Sequence, residues 1–220
     1  MLQIDFVSDV SCPWCAIGLN ALEAAAARVA PDVAVQIRFQ PFELNPQMAP
    51  EGEDVTEHLA RKYRITPEQI ATNTEAIRQR GEEVGFTFTM GARRRIYNTR
   101  SAHRLLHWAG LLDEADGGSR QRQLKHALLA AYFTDGLDPS DHAVLLARAE
   151  ACGLPPAEAA EVLASGRYDD DVAAAEQQWH ESGISSVPSI IVNQQYLIQG
   201  GQPVERFERA LRQIASEAAA

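Results

Sequence analysis

The sequence predicts an α/β protein whose strands lie near the two ends of the chain, with a long run of helices between them. Three observations predict it. Leu2–Val7 alternates apolar and polar residues for the most part, and Ala16–Val29 is rich in Ala and Leu, so a strand hands over to a helix. Val33–Phe39 alternates again, as a second strand. Near the other end, Ile184–Val192, the turn Asn193–Gln195 and Tyr196–Gln199 read as strand, turn and strand, followed by a closing helix over Arg206–Ala215.

The first hand-over carries the chemistry. Ser8–Gly18 reads S-D-V-S-C-P-W-C-A-I-G, with Cys12 and Cys15 in a C-x-x-C frame. Ser11 is expected to cap the helix, and Pro13 suits its first turn, where no intrahelical N–H partner is lost. A cysteine at a helix N-terminus faces unpaired N–H groups and the positive end of the helix dipole. Such sites bring a thiol pKa from about 8.5 down to roughly 3.5–7.5. Cys12 is therefore expected to be the exposed, activated nucleophile and Cys15, one turn further in, the deeper resolving thiol. Zinc is the competing use of C-x-x-C, but it wants four ligands. The third cysteine, Cys152, has no His in ligand spacing, so no metal is called for.

After the first helix and second strand, Pro41, Pro46 and Pro50 break the pattern. Val55–Tyr63 is a short helical stretch. Thr66 caps the next helix, with Pro67 at its first position and Gln69 completing a capping box, and the helix runs to about Glu83 and stops near Gly85. Gly85–Met90 alternates Phe86, Phe88 and Met90, as an extended segment or a loop over the site. Asn98 starts a helix whose buried stripe is Ala102, Leu105, Leu106 and Ala109. Arg120–Phe133 follows, with Leu124, Ala127, Leu128, Ala131 and Tyr132 at helical spacing. Asp138-Pro139-Ser140 opens another helix that ends at Gly153. Pro156–Ala164 and Asp169–Ser182 complete the run, and the Ala-rich tail Ala218–Ala220 is expected to fray.

Composition narrows the function. The chain has 220 residues, 45% of them hydrophobic, enough for a proper core. Thirty acidic against twenty basic residues give a formal net charge of −10, which disfavours a nucleic-acid partner. No apolar run approaches a membrane span. The sequence M-L-Q-I-D-F enters a strand with no basic leader, and three cysteines are no disulfide framework, so a cytoplasmic location is expected.

Three stretches together carry a family resemblance: S-C-P-W-C at Ser11–Cys15, V-P-S at Val187–Ser189 and N-T-R-S-A-H-R-L-L-H-W-A at Asn98–Ala109. The chain resembles the DsbA-type thioredoxin-fold oxidoreductases, and within them the cytoplasmic, FrnE-like branch. The resemblance covers nearly the whole chain. It implies a thioredoxin fold with a large all-helical insertion between its β-α-β and β-β-α halves. The thioredoxin-like domain would then be 1–42 and 168–220, and the inserted helical domain 43–167. It implies a cis Val187–Pro188 bond facing the redox pair, with the Val187 backbone free to pair with an extended substrate; an ordinary trans proline at a strand start is the alternative. Pro13 and Trp14 would tune the thiolate. Well-known DsbA proteins carry Pro-His there, so their strongly oxidising potential does not carry over.

The resemblance implies a thiol–disulfide oxidoreductase working through a mixed disulfide on Cys12. Its partners are protein or peptide thiols and disulfides, or glutathione as substrate or reductant, and no cofactor is required. The oligomeric state is left open, a homodimer included. Asn98 reads first as a helix cap; His103 and His107 read first as solvated or core histidines, with a ring facing Cys12 as the alternative for His103. Trp14 either shields the disulfide or packs on a neighbour, and Trp108 belongs to the same recognised run as His103. Cys152 reads as a small buried apolar side chain. Arg93–Arg95 is a basic patch, usually a solvated surface, that can also meet the carboxylates of glutathione or an acidic peptide. Two other readings stand. Kappa-class glutathione transferases and hydroxychromene-carboxylate isomerases share the helix-inserted architecture, typically with a Ser near the position of Cys12, and have no use for a resolving thiol. A non-catalytic peptide-binding or chaperone module would use the groove alone.

Overall fold

A computed structural model describes residues 1–218. The expectation for the tail therefore lies outside the described residues, save for Ala218, which caps the last helix. Strand β1 (Leu2–Ser8) leads into helix α1 (Pro13–Val29) and strand β2 (Val35–Pro41). A two-residue strand β3 (Glu53–Asp54) and helices α2 (Val55–Tyr63) and α3 (Pro67–Glu83) come next, then β4 (Arg95–Ile96). Helices α4 (Arg100–Asp116), α5 (Arg120–Phe133), α6 (His142–Ala151), α7 (Pro156–Ser165) and α8 (Asp169–Glu181) precede β5 (Ser189–Val192), β6 (Tyr196–Gln199) and α9 (Val204–Glu217).

The main sheet has the order β2-β1-β5-β6. β1 and β2 are parallel, joined through α1, whereas β5 runs antiparallel to both β1 and β6. Central β1 alternates across the two faces. Ile4 and Phe6, with Ile190 and Val192, join α1 and α9 in one apolar core; Val7 faces the other way, toward Trp179 of α8. Three residues, Asn193–Gln195, join β5 to β6: the Gln195 N–H donates to Val192 O at 3.1 Å, and Asn193 and Gln194 both take positive φ (52° and 57°). A second core fills the space among α4, α5, α6 and α7. The α/β class and the thioredoxin fold with its helical insertion are as the sequence implies.

Several local expectations shift. The strand expected over Ile184–Val192 begins only at Ser189. Pro188 has no N–H to give a ladder, and the preceding residues form a loop. Thr99, not Asn98, is the N-cap of α4, while the Asn98 side chain accepts from the Arg100 N–H. Asp138 holds a turn by accepting from the Ser140 N–H and hydroxyl, and α6 starts beyond it, capped by Asp141. The Thr66–Gln69 capping box forms as expected. Gly85–Met90 is a loop, and the β3–β4 pairing that ties α2 to the start of α4 has no signal in the pattern.

Candidate active site

β1 ends in a fully buried turn, and α1 begins with Cys12 itself as N-cap, in extended geometry (φ −95°, ψ 115°), and Pro13 at the first position. The expected Ser11 cap is not made. The Ser11 hydroxyl is 2.9 Å from Asp9 Oδ2 and its N–H donates to Asp9 Oδ1, so a buried carboxylate outcompetes the helix end for it. Cys15 N–H donates to Cys12 O at 3.1 Å, closing the first turn, and both cysteines are free thiols.

Cys12 is 4% exposed, which corrects the expectation of an exposed thiol. The loop ahead of β5 covers it: the Cys12 thiol reaches Val187 O at 3.6 Å, and the Val187–Pro188 bond is cis. Gly18 permits the approach. A Cβ there would sit 3.0 Å from Pro188 Cγ and 3.2 Å from Gly201 Cα, so a side chain would push the loop off the helix. Trp14 is 39% exposed, pointing away from the core that Cys15 occupies. Cys15 is wholly buried, and burial together with the neighbouring Cys12 sulfur pushes its thiol well above the ordinary value.

Behind the cysteines lies a group the sequence reading did not single out. Asp9 is wholly buried. Burial by itself raises a carboxyl, but here the His103 ring and the N–H groups of Leu44 and Ser11 outweigh it and hold Asp9 down at about 2. His103 Nε2 stands 3.5 Å from Asp9 Oδ1. Lys125 of α5 is also fully buried, with Nζ 3.5 Å from Ser8 O. Burial lowers its ammonium, while Cys15, Asp9 and Cys12 oppose that in turn. Lys125 had a legible signal: it shares the spacing of Leu128, Leu129 and Tyr132, the buried stripe of α5, where a cation needs a partner. Asp9 had only its place just past a strand.

Of the remaining candidates, His103 is a core histidine that faces Asp9 rather than Cys12. His107 is half-buried and packs at a tilt beside Tyr168, ring centroids 5.2 Å apart, while Trp108 is buried among α4–α7. Asn98 donates to Glu43, which with Glu176 brackets Arg100 at 3.0 and 2.9 Å. Cys152 is a half-buried C-cap of α6. Arg93 lines a cavity of about 200 Å³ that opens beside Pro13. Arg95 is committed to the carbonyls of Glu51 and Gly52. Among the described residues no three His, Cys, Asp or Glu side chains are grouped to hold a metal ion, and no helix is long and apolar enough to cross a membrane.

A dithiol at the start of α1, set against the loop that enters β5 in a β-α-β/β-β-α sheet, defines a thioredoxin-fold protein of the oxidoreductase class. The chain belongs to the DSBA-like thioredoxin domain family, whose pattern matches residues 3–212. Among solved structures it is similar to a probable DsbA oxidoreductase from Streptomyces coelicolor, at 29% identity and TM-score 0.88, over 99% of this chain and 91% of that one. The cytosolic disulfide reductase DsbM from Pseudomonas aeruginosa, solved with GSH, shares the fold at 17% identity and TM-score 0.62, over 99% and 98% of the two chains. A 2-hydroxychromene-2-carboxylate isomerase shares it at 14% identity and TM-score 0.68, over 99% and 98%. No curated protein matches the chain.

Proposed function

We propose that the chain exchanges its Cys12–Cys15 dithiol with the disulfides of protein, peptide or small-thiol substrates. The observation that carries this reading is the placement of Cys12 at the N-cap of α1, against Val187 O, with Cys15 one turn deeper beside a buried Lys125. Cys12 as thiolate attacks one sulfur of a substrate disulfide. A Cys12–substrate mixed disulfide forms and the first substrate thiolate leaves. Cys15 then gives up its proton, attacks Cys12 Sγ and releases the second substrate thiolate. Burial keeps Cys15 protonated until that second step. We assign that proton to Lys125, whose ammonium is disfavoured by burial and favoured in turn by the Cys15, Asp9 and Cys12 charges acting through space. The Val187 backbone offers an edge for an extended substrate. No organic or metal cofactor enters these steps, and a reducing compartment such as the cytoplasm suits a free dithiol.

Thiol trapping in glutathione buffers tests the reading. The Cys12–Cys15 disulfide should form reversibly, and the Cys15→Ser variant should accumulate a mixed disulfide on Cys12, while Cys12→Ser loses exchange by at least about a thousandfold. A midpoint near about −270 mV would mark a reductant and one near about −120 mV an oxidant. A pair that forms no disulfide at any poise sinks the proposal.

A further inference from the structure

The groove that reaches Pro13, the residue after Cys12, is the feature that exchange chemistry leaves without a use. Its cavity of about 200 Å³ starts at Pro13 and is walled by Leu59 of α2, Ile77 of α3, Phe88 and Phe133, with Arg93 at one side. Drug-sized ligands fill pockets of roughly 300–1,000 Å³, whereas a cavity of about 150 Å³ accommodates a benzene ring. The groove is therefore sized for one large apolar side chain.

Its walls are held in place. A Cβ on Gly81 would come within 2.5 Å of the Phe88 ring, so only glycine lets that ring lie on α3. Gly136 admits the Ala92 backbone in the same way, since a Cβ there would lie 2.6 Å from Ala92 O. Between them, the Thr89 N–H donates to Phe133 O at 3.1 Å and the Thr134 hydroxyl to Thr87 O at 2.6 Å. A pocket already open demands less ordering when a ligand enters.

Arg93 supplies the second half of the site. Its guanidinium lies 5.7 Å from the Tyr132 ring centroid and 5.5 Å from that of Phe133, oriented by both, and it makes no ion pair among the described residues. The acids that follow those rings in sequence are engaged elsewhere: Asp135 with Arg148 at 2.7 Å, and Asp138 with Ser140. A half-buried, unpaired cation in a chain of formal net charge −10 is a seat for an acidic group brought by a substrate.

Resting on the exchange reading, we infer that the preferred substrate is a peptide or protein disulfide with a large apolar residue beside its reactive cysteine and an acidic residue next to that. The apolar side chain fills the groove and the acid meets Arg93. Glutathione offers carboxylates but no apolar side chain, so it leaves the groove empty and is the poorer substrate.

The test is single-turnover exchange between reduced protein and symmetric peptide disulfides whose cysteine is followed by Phe-Asp, Phe-Lys, Ala-Asp or Ala-Lys, with glutathione disulfide alongside. Each turnover consumes one disulfide, oxidises the Cys12–Cys15 dithiol and releases two thiols, with no further reductant. Phe should outrun Ala by about tenfold, and Asp should outrun Lys by about fivefold. Arg93→Gln should bring the Asp-to-Lys ratio to about one, and Arg93→Glu should invert it. Ratios within one variant are independent of any overall loss of rate, and circular dichroism melts verify folding. Equal rates across the peptides, an Asp preference that survives Arg93→Glu, or glutathione disulfide matching the Phe-Asp peptide would overturn the inference while leaving exchange intact. No exchange with any disulfide would overturn the oxidoreductase reading and this one with it.

Discussion

Behind the cysteine pair, α4 sets His103 against Asp9 and α5 places Lys125 with Nζ 3.5 Å from Ser8 O, all of them buried. On the other side, α2, α3 and the 86–93 loop present Leu59, Ile77 and Phe88, with Arg93 beside them. Both sides come from the same stretch of chain between β2 and β5, yet they solve different problems. Burying an ion costs several kcal/mol unless partners replace its water. The rear therefore holds a dense set: Asp9 alone accepts from the Ser11 N–H, the Ser11 hydroxyl and the Leu44 N–H. The front stays open and mostly apolar, where a substrate side chain gains from leaving water. The difference teaches that proton handling and substrate choice can be altered independently, because no hydrogen bond between described residues joins Arg93 to the Asp9 group.

The largest effect on that division should come from Lys125→Met, which keeps the length of the side chain and removes the amine. The second step, attack of Cys15 on the mixed disulfide, should slow by about a hundredfold. Rapid-quench mass spectrometry resolves the mixed disulfide from the products. Equal second-step rates in the variant and the parent would remove Lys125 from the mechanism.

Asp9→Asn comes next. The folded-state carboxyl sits at about 2, below the unfolded value of about 3.9, so its contribution is fully present above about pH 4 and is lost as pH falls through 2. That contribution is on the order of 2 kcal/mol. Urea unfolding between pH 2 and pH 6 should show an acid limb in the parent that is flattened in the variant. The variant should also be weaker at neutral pH, because an amide oxygen replaces only one of the two accepting oxygens. Parallel curves of equal midpoint would show that the carboxylate is not held as described.

The smallest effect should be that of Cys152→Ala. Cys152 lies in the helical core region, away from both sides of the dithiol. Exchange rates should change by less than about twofold and stability by less than about 1 kcal/mol. A larger loss of exchange would place a third thiol in the chemistry.

Much of this is legible in the sequence. The β-α-β start, the closing hairpin and helix, the capping box at Thr66 and the C-x-x-C at a helix start follow from local rules: alternation, helical periodicity and the needs of unpaired N–H groups. Those rules act over a few residues, so one chain segment determines them. What they missed also has a local cause. Ser11 looked like a cap because nothing in the nearby sequence says that Asp9 is buried and competes for its hydroxyl. Lys125 shares the buried stripe of α5, but no local rule names the groups it meets there.

The chain by itself determined the order of its elements and the seat of its two thiols, since strand, helix and cap are set by neighbours in sequence. Only the tertiary structure decided that Cys12 is buried beneath the Val187 loop rather than exposed, that Asp9 and Lys125 are both buried within reach of the Cys15 charge, and that Arg93 borders an apolar cavity beside Pro13. Residues 9, 125 and 187 are far apart along the chain. Their proximity is created by packing α5 and the β5 loop onto β1 and α1, and the burial that shifts their charges exists only once that packing is complete.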